Sequence, residues 1–153
     1  MSKRPEGTPH SRDAAPRATA ADHARLRAQH ASERAEDYCE AIQDAIDATG
    51  VSRVVHLARR FGLSHVTVSR TIARLGREGL LESAPYRPIV LTPKGRKLAE
   101  AARARHELVH AFLLELGVDD ATARIDAEGI EHHVSPATID AFAQFLATRR
   151  ARP

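Results

Sequence analysis

The chain has 153 residues, 42% of them hydrophobic and only 4% aromatic, with no Trp; this fits one domain of ordinary size, or two small ones sharing a core, built mainly of helices with Ala, Leu, Val and Ile inside. A single cysteine, Cys39, excludes an internal disulfide framework, no apolar run approaches the roughly 18 residues of a membrane span, and the charged N-terminus lacks a signal-peptide core, so a cytoplasmic protein with no membrane partner is expected. The net charge of +3 conceals segregation: residues 53–105 hold twelve Lys/Arg against three Asp/Glu, a balance of +9, while residues 35–52 stand at −5 and residues 106–153 at −4, as in a polyanion-binding module set between parts that bind cations or subunits.

Residues 1–20, rich in Ala, Arg, Pro and Ser without periodicity, predict a disordered basic arm. Residues 21–34 could begin a helix, but Leu26 is their only large apolar residue, so the arm is set at 1–33. From Arg34 onward Tyr38, Ala41, Ile42, Ala45 and Ile46 recur at helical spacing up to Thr49-Gly50. Ser52 is expected to cap a second helix, Arg53 to Phe61, ended by Gly62; Ser64 is expected to cap a third, His65 to Glu78, ended by Gly79. Two short helices across a Gly-containing turn have the helix-turn-helix form. Leu80-Leu81-Glu82-Ser83 and Pro88-Ile89-Val90-Leu91, joined by Ala84-Pro85-Tyr86-Arg87, predict a hairpin that would be the wing. Thr92-Pro93 opens a long helix with a stripe of Leu98, Ala102, Arg105, Val109, Phe112 and Leu116, ended by Gly117. Another helix follows Asp119, and Ser135-Pro136 opens a last one carrying Ile139, Phe142, Phe145 and Leu146. The fold class is therefore mainly α: a winged helix-turn-helix over residues 34–96, then a helical half over 97–153.

In the third helix Val66, Val68, Ile72 and Leu75 are available to hold it on its partner, which leaves His65, Thr67, Ser69, Arg70 and Arg74 facing outward beyond the capping Ser64. Short hydroxyl and guanidinium side chains suit base edges and phosphates in a major groove, and a helix N-terminus adds backbone donors. Arg59, Arg60, Arg77, Arg87 and Lys94 extend the basic surface. The bland alternative is a small helical domain with solvated arginines. Helix-turn-helix, wing and the +9 balance together favour double-stranded DNA as the partner.

The second half carries a different chemistry. In Asp126-Ala-Glu-Gly-Ile-Glu-His-His133, Glu128 and Glu131 are three apart and Glu128 and His132 four apart, the spacings that bring helical side chains together. Asp37 and Glu40 repeat the three-residue spacing on the first helix. Carboxylates and an imidazole in reach of one point form part of a divalent-metal site, although a solvated acidic helix end would read the same way. His106-Glu107-Leu108-Val109-His110 also matches the zinc-protease pattern H-E-x-x-H. Only three of those five positions are fixed, the chain has nine His, and apolar stripes already needed as core leave little material for a substrate cleft. An enzyme is not expected, nor is a small organic ligand; a zinc hydrolase and a metal-independent winged-helix regulator stand as the alternatives.

Glu36-Asp37-Tyr38-Cys39-Glu40, Arg105-His106-Glu107-Leu108 and Glu128-Gly129-Ile130-Glu131-His132-His133, in this order around a winged helix-turn-helix, resemble the manganese transport regulators of the diphtheria-toxin-repressor family over about residues 34–148. The resemblance implies that Asp37, Glu40, His106, Glu128, Glu131 and His132 coordinate Mn²⁺, one or two ions per subunit. It also implies that residues 97–153 form a dimerisation and metal-binding domain, and that the homodimer represses manganese uptake genes from an operator. Iron-responsive relatives carry Met and Cys where this chain has Asp37 and Glu128, which implies the manganese branch. Four carboxylates with two imidazoles form a hard donor set that agrees with it. His110 and His133 do not match family ligands, and Cys39, one residue out of phase, is read as core.

Overall fold

The computed structural model describes residues 19–150. It is mainly helical: α1 (Ala20–Thr49), α2 (Val54–Phe61), α3 (His65–Arg77), β1 (Leu81–Glu82), β2 (Val90–Leu91), α4 (Pro93–Glu115), α5 (Asp120–Glu131) and α6 (Pro136–Arg150). Strands β1 and β2 pair antiparallel, Leu81 opposite Leu91 and Glu82 opposite Val90. The expected helix-turn-helix, wing and helical second half are all present in this order.

Two cores organise the chain. The first gathers Tyr38, Cys39 and Ile42 of α1, Leu57 and Ala58 of α2, Val68, Ile72 and Leu75 of α3, Leu80, Leu81, Ile89 and Leu91 of the wing, and Ala99 of α4. The second joins Val109 and Leu113 of α4 to Ala123 and Ala127 of α5, with Ile139 and Phe142 of α6 packed against them. Helix α4 runs through both cores without a break, so the helix-turn-helix head and the second half share one rigid element.

Four local expectations differ from the structure. Residues 20–33, assigned to a disordered arm, are helical; residues 1–18 lie outside the described part. Thr19 and Asp22 form a capping box, with Asp22 Oδ2 accepting from the Thr19 N–H at 2.8 Å, and the Ala-rich stretch extends a helix already nucleated by its packed C-terminal half. Ser52 does not cap α2. It is buried, and its carbonyl accepts the Ile89 N–H at 2.8 Å in a lone β-bridge, so extended Arg53 takes the N-cap position with no side-chain cap bond. Val66 is 60% exposed rather than core, because Val68, Ile72 and Leu75 already fill the inner face of α3. Leu116 is likewise exposed, lying past the last turn of α4, where Leu113 takes the inward position.

The joint between head and long helix is set by close backbone approach. The Thr92 hydroxyl accepts the Gly95 N–H at 3.2 Å and donates to the Gly79 carbonyl at 2.7 Å, while Lys94 Nζ donates to the Glu78 carbonyl at 2.9 Å. Gly95 is buried against the wing, and a Cβ there would lie 2.0 Å from the Leu80 carbonyl oxygen. Alanine normally favours a helix over glycine by about 1 kcal/mol, but a clash with backbone cannot be relieved by a rotamer change and outweighs it. Gly95→Ala is therefore expected to destabilise the protein by about 2 kcal/mol or more. Gly76→Ala, whose Cβ would meet Leu81 at an ordinary 3.7 Å, is expected to be neutral or stabilising; denaturant unfolding of the two variants checks both.

Candidate metal centre and nucleic-acid interface

Three helices meet at the carboxylate cluster. His106 comes from the middle of α4, Glu128 and Glu131 from the last turn of α5, and His132 from its C-cap. One ligand atom from each of His106, Glu128 and Glu131 lies within 4.8 Å of the others. Glu131 is central and only 4% exposed: its Oε2 is 3.2 Å from His106 Nδ1 and its Oε1 is 3.3 Å from His132 Nε2. His132 Nε2 is also 3.3 Å from Asp37 Oδ1, and His106 Nδ1 is 3.7 Å from Glu128 Oε1. Asp37, Glu40, Glu128 and His132 line one cavity of about 410 Å³ with Arg60 and Phe61. All six sequence-predicted ligands thus converge on one region.

The electrostatics are those of crowded, partly buried carboxylates. Burial pushes the Glu131 carboxyl up to about 7, with Glu128 and Glu40 adding to the rise and His132 and Arg105 opposing it. Asp37 is raised by burial and by the carboxylates of Glu128, Glu36 and Glu33, against the pull of His132. Glu40 is raised by burial and then by Asp44 and Glu128. Glu131 Oε2 and His132 Nδ1 are buried with no hydrogen-bond partner among the described residues. A hard divalent cation fits such a donor set, because it would neutralise the crowded carboxylates and engage the free acceptor. The Cys39 thiol, raised to about 11 chiefly by burial, sits in the first core and offers no soft ligand.

Glu36 of α1 lies on the far side of His132 from the cluster. Arg105 Nη2 donates to Glu36 Oε2 at 2.5 Å, and the same oxygen lies 3.4 Å from His132 Nδ1. Glu36 therefore faces the His132 ring from the side away from Asp37 and Glu131, without a hydrogen bond to it. The i,i+4 spacing of Glu36 and Glu40 was a sequence signal for that face; the partner Arg105, on another helix, was not.

The zinc-protease pattern does not assemble. The His106 and His110 rings lie 6.5 Å apart, His106 facing the α5 carboxylates while His110 Nε2 sits 3.0 Å from Asp120 Oδ1. Asp120 in turn accepts from Arg124, and Glu107 points to solvent. His133 turns back on its own helix, Nδ1 at 3.0 Å from the Gly129 carbonyl.

On the head, Val68, Ile72 and Leu75 pin α3 down, and His65, Thr67, Ser69 and Arg70 are exposed, as are Arg59 on α2 and Arg87 on the wing. The other expected DNA contacts have partners within the chain. The Ser64 hydroxyl caps α3 by accepting the Thr67 N–H at 3.1 Å. Arg60 pairs with Asp44 at 2.8 Å, on the side of the carboxylate cavity, and Arg74 pairs with Glu78 at 2.9 Å. Lys94 holds the Glu78 carbonyl. Sequence showed these cations without their partners.

Comparison with known proteins gives a consistent result. Residues 30–89 match the family described as iron dependent repressor, N-terminal DNA binding domain, and residues 92–153 match iron dependent repressor, metal binding and dimerisation domain. The transcriptional regulator MntR of Escherichia coli O157:H7 is 46% identical over 127 residues, covering 83% of this chain and 82% of that protein. The HTH-type transcriptional regulator MntR of Oceanobacillus iheyensis is 39% identical over 105 residues, covering 69% and 71%. Among solved structures, a manganese-dependent transcriptional repressor in complex with manganese aligns with TM-score 0.67 and 32% identity over 74% of this chain and 52% of its own. The manganese regulator SloR aligns with TM-score 0.64 and 26% identity over 74% and 53%. The chain spans about half the length of these two solved chains. With its first half matching the DNA-binding domain and its second half the metal binding and dimerisation domain, the chain belongs to the iron-dependent, or diphtheria-toxin-repressor, family of metal-responsive DNA-binding repressors.

Proposed function

We propose that this chain is a manganese-activated homodimeric repressor acting in the cytoplasm on operators of manganese uptake genes. Asp37, Glu40, His106, Glu128, Glu131 and His132 hold one or two Mn²⁺ per subunit, and His65, Thr67, Ser69 and Arg70 read bases while Arg59 and Arg87 hold phosphates. The observation that carries this reading is the buried Glu131 carboxylate, with one oxygen beside His106 of α4 and the other beside His132, which itself faces Asp37 of α1. The absence of a thiolate from the donor set favours a hard ion, and the manganese-named relatives point the same way.

When bound, the ion supplies the positive charge that the cluster lacks and allows its donors to approach one another. Asp37 and Glu40 belong to α1, whose buried face is part of the first core, whereas Glu128 and Glu131 belong to α5 and the second core. Drawing them together fixes the head against the dimerisation half. When uncompensated, the four carboxylates repel, and the two heads of a dimer sample several separations. Two recognition helices fit successive major grooves only at about 34–36 Å or a multiple of it. A coupling of about 1–3 kcal/mol per site is enough to make the fitting separation dominate. Arg60, paired with Asp44 beside this cavity, and Arg103, which reaches the same aspartate from α4 at 2.6 Å, brace α1 against both neighbours. No catalytic role is proposed.

The direct test is DNA binding, on a duplex selected from a random pool, titrated with Mn²⁺, Fe²⁺ and Zn²⁺ against a chelator control. Affinity is expected to rise at least tenfold, about 1.4 kcal/mol, with Mn²⁺; equal affinity in chelator would establish the metal-independent alternative.

Two variant sets follow from the geometry. Glu131→Gln keeps the shape of the side chain and removes a buried like charge, so the metal-free protein should unfold at the same or higher temperature. The stabilisation gained from Mn²⁺, about 2.7 kcal/mol at a hundredfold excess over Kd, should be largely lost, along with activation of DNA binding; thermal melts with and without Mn²⁺ decide it. On the head, Arg70→Ala should cost about 1–3 kcal/mol and relax preference at one base position, whereas Arg59→Ala should weaken binding to all sequences and lower the salt slope by about one. Equal losses on selected and random duplexes for Arg70→Ala would show that it meets only phosphate.

A further inference from the structure

Among the described residues Arg60 is the one Lys or Arg side chain in the wall of the carboxylate cavity, which it shares with Asp37, Glu40, Glu128, His132 and Phe61. It comes from α2, whereas the carboxylates come from α1 and α5. Its guanidinium does not rest on any of the expected ligands. Nη1 lies 2.8 Å from Asp44 Oδ2, and Asp44 is its sole carboxylate partner among the described residues. Asp44 follows Glu40 by four residues on α1, so the two carboxylates share a helix face with their Cβ atoms about 5–6 Å apart. A swing of one helical turn would carry the guanidinium from Asp44 to Glu40, and the Arg60 side chain, 49% exposed, has the room to make it. The other oxygen of Asp44 accepts from Arg103 Nη2 of α4 at 2.6 Å. Arg103 has a second anchor in Asp47 at 3.4 Å; Arg60 has none. Both partners of the Arg60–Asp44 pair are partly exposed, and ion pairs of that kind add little to stability. What the pair decides is where the charge of Arg60 stands.

We infer that Asp44 is a positioning residue of the metal centre: by engaging Arg60 it keeps that guanidinium off Glu40, and so sets the Mn²⁺ concentration to which the protein responds. The inference rests on the manganese reading above and concerns two residues that hold no ion themselves. The carboxylates that would hold the ion are the same ones that a guanidinium in the cavity would neutralise, and two cations repel at that range. Arg60 is thus a tethered competitor, acting at a high effective concentration that no change of medium dilutes. Asp44 weakens the competition by offering Arg60 a carboxylate that no ion contests. Glu40 is raised by burial and next by Asp44, which marks these two carboxylates as electrostatic neighbours. Asp47, one turn to the other side, has both oxygens engaged, by Gln43 at 2.7 Å and by Arg103 at 3.4 Å. Without Asp44, the open carboxylate within the reach of Arg60 on that face of α1 is therefore Glu40.

The test compares Mn²⁺ dissociation constants of the full chain and its variants, read from the electron paramagnetic resonance of free Mn²⁺. Asp44→Ala should bind the ion about tenfold more weakly than wild type, a usual size for coupling between neighbouring residues. Arg60→Gln should bind it as tightly as wild type or more tightly. Adding Asp44→Ala to Arg60→Gln should then shift affinity by less than about twofold, the scatter expected of independent sites, because no guanidinium remains to be released. An equal loss from Asp44→Ala in both backgrounds would mean that Asp44 acts only as one more negative charge near the ion, and would overturn the inference. An unchanged affinity in Asp44→Ala alone would overturn it too. Melting curves of the metal-free variants check that each is folded at the assay temperature; Asp44→Asn, which keeps the side-chain shape, replaces Asp44→Ala in the same comparison where it is not. Lack of Mn²⁺ binding by the wild-type protein would overturn the manganese reading itself, and this inference with it.

Discussion

Mutual repulsion among carboxylates that two separately packed cores hold close together is the constraint on which the rest of this molecule depends. Neither core needs those charges, and each helix that carries them is fixed by its own apolar face: α1 by Tyr38, Cys39 and Ile42, α5 by Ala123 and Ala127. Burial and like charge raise Glu131 to about 7 and shift Asp37 and Glu40 in the same direction. Holding these carboxylates ionised therefore costs free energy, which a bound proton or a cation offsets. The basic side chains nearby are occupied elsewhere, Arg105 with Glu36 and Arg60 and Arg103 with Asp44. A regulator needs this state of affairs, since a site already neutralised by its own arginines would have nothing to sense.

What could be read from the sequence was what local chemistry dictates. Ser64, Thr92-Pro93 and Asp119 cap α3, α4 and α5 as their residue types predict, and Gly50, Gly62, Gly79 and Gly117 stop chain segments with positive φ. Helical spacing placed Glu128, Glu131 and His132 together, and the family resemblance supplied Asp37, Glu40 and His106, which lie on other helices and meet them only in the folded chain. The misses share one cause, dependence on a partner remote in sequence. Ser52 looked like a cap because its pairing with Ile89 is tertiary. The intrachain partners of Arg60, Arg74 and Lys94, namely Asp44 and the end of α3, were likewise out of view. The pairing of Glu36 with Arg105, on another helix, was hidden in the same way. The helical stretch 20–33 was missed for the opposite reason, since its evidence is local propensity without any burial to announce it.

The same contrast separates the two surfaces of the head. On α3 the inward apolar triplet forces the polar residues outward, so periodicity alone exposes the base-reading candidates. In the wing no periodicity exists in a turn of four residues, and the exposure of Tyr86 follows from a backbone angle held by Arg53. Residue type alone ranks tyrosine as intermediate in burial and would not single out full exposure.

The unbroken course of α4 through both cores makes the protein indivisible at the point where its two functions meet. Each residue inserted between Ala99 and His106 would turn everything beyond it by about 100° and advance it by about 1.5 Å, carrying His106 out of register with α1 while leaving each core intact. Two helical turns, about seven residues, would restore the phase but displace the second half by about 10 Å. Length variation among related chains must therefore fall in the loops before Asp120 and Pro136 or in the wing, and recombination between relatives must cut α4 at equivalent residues to yield a working regulator.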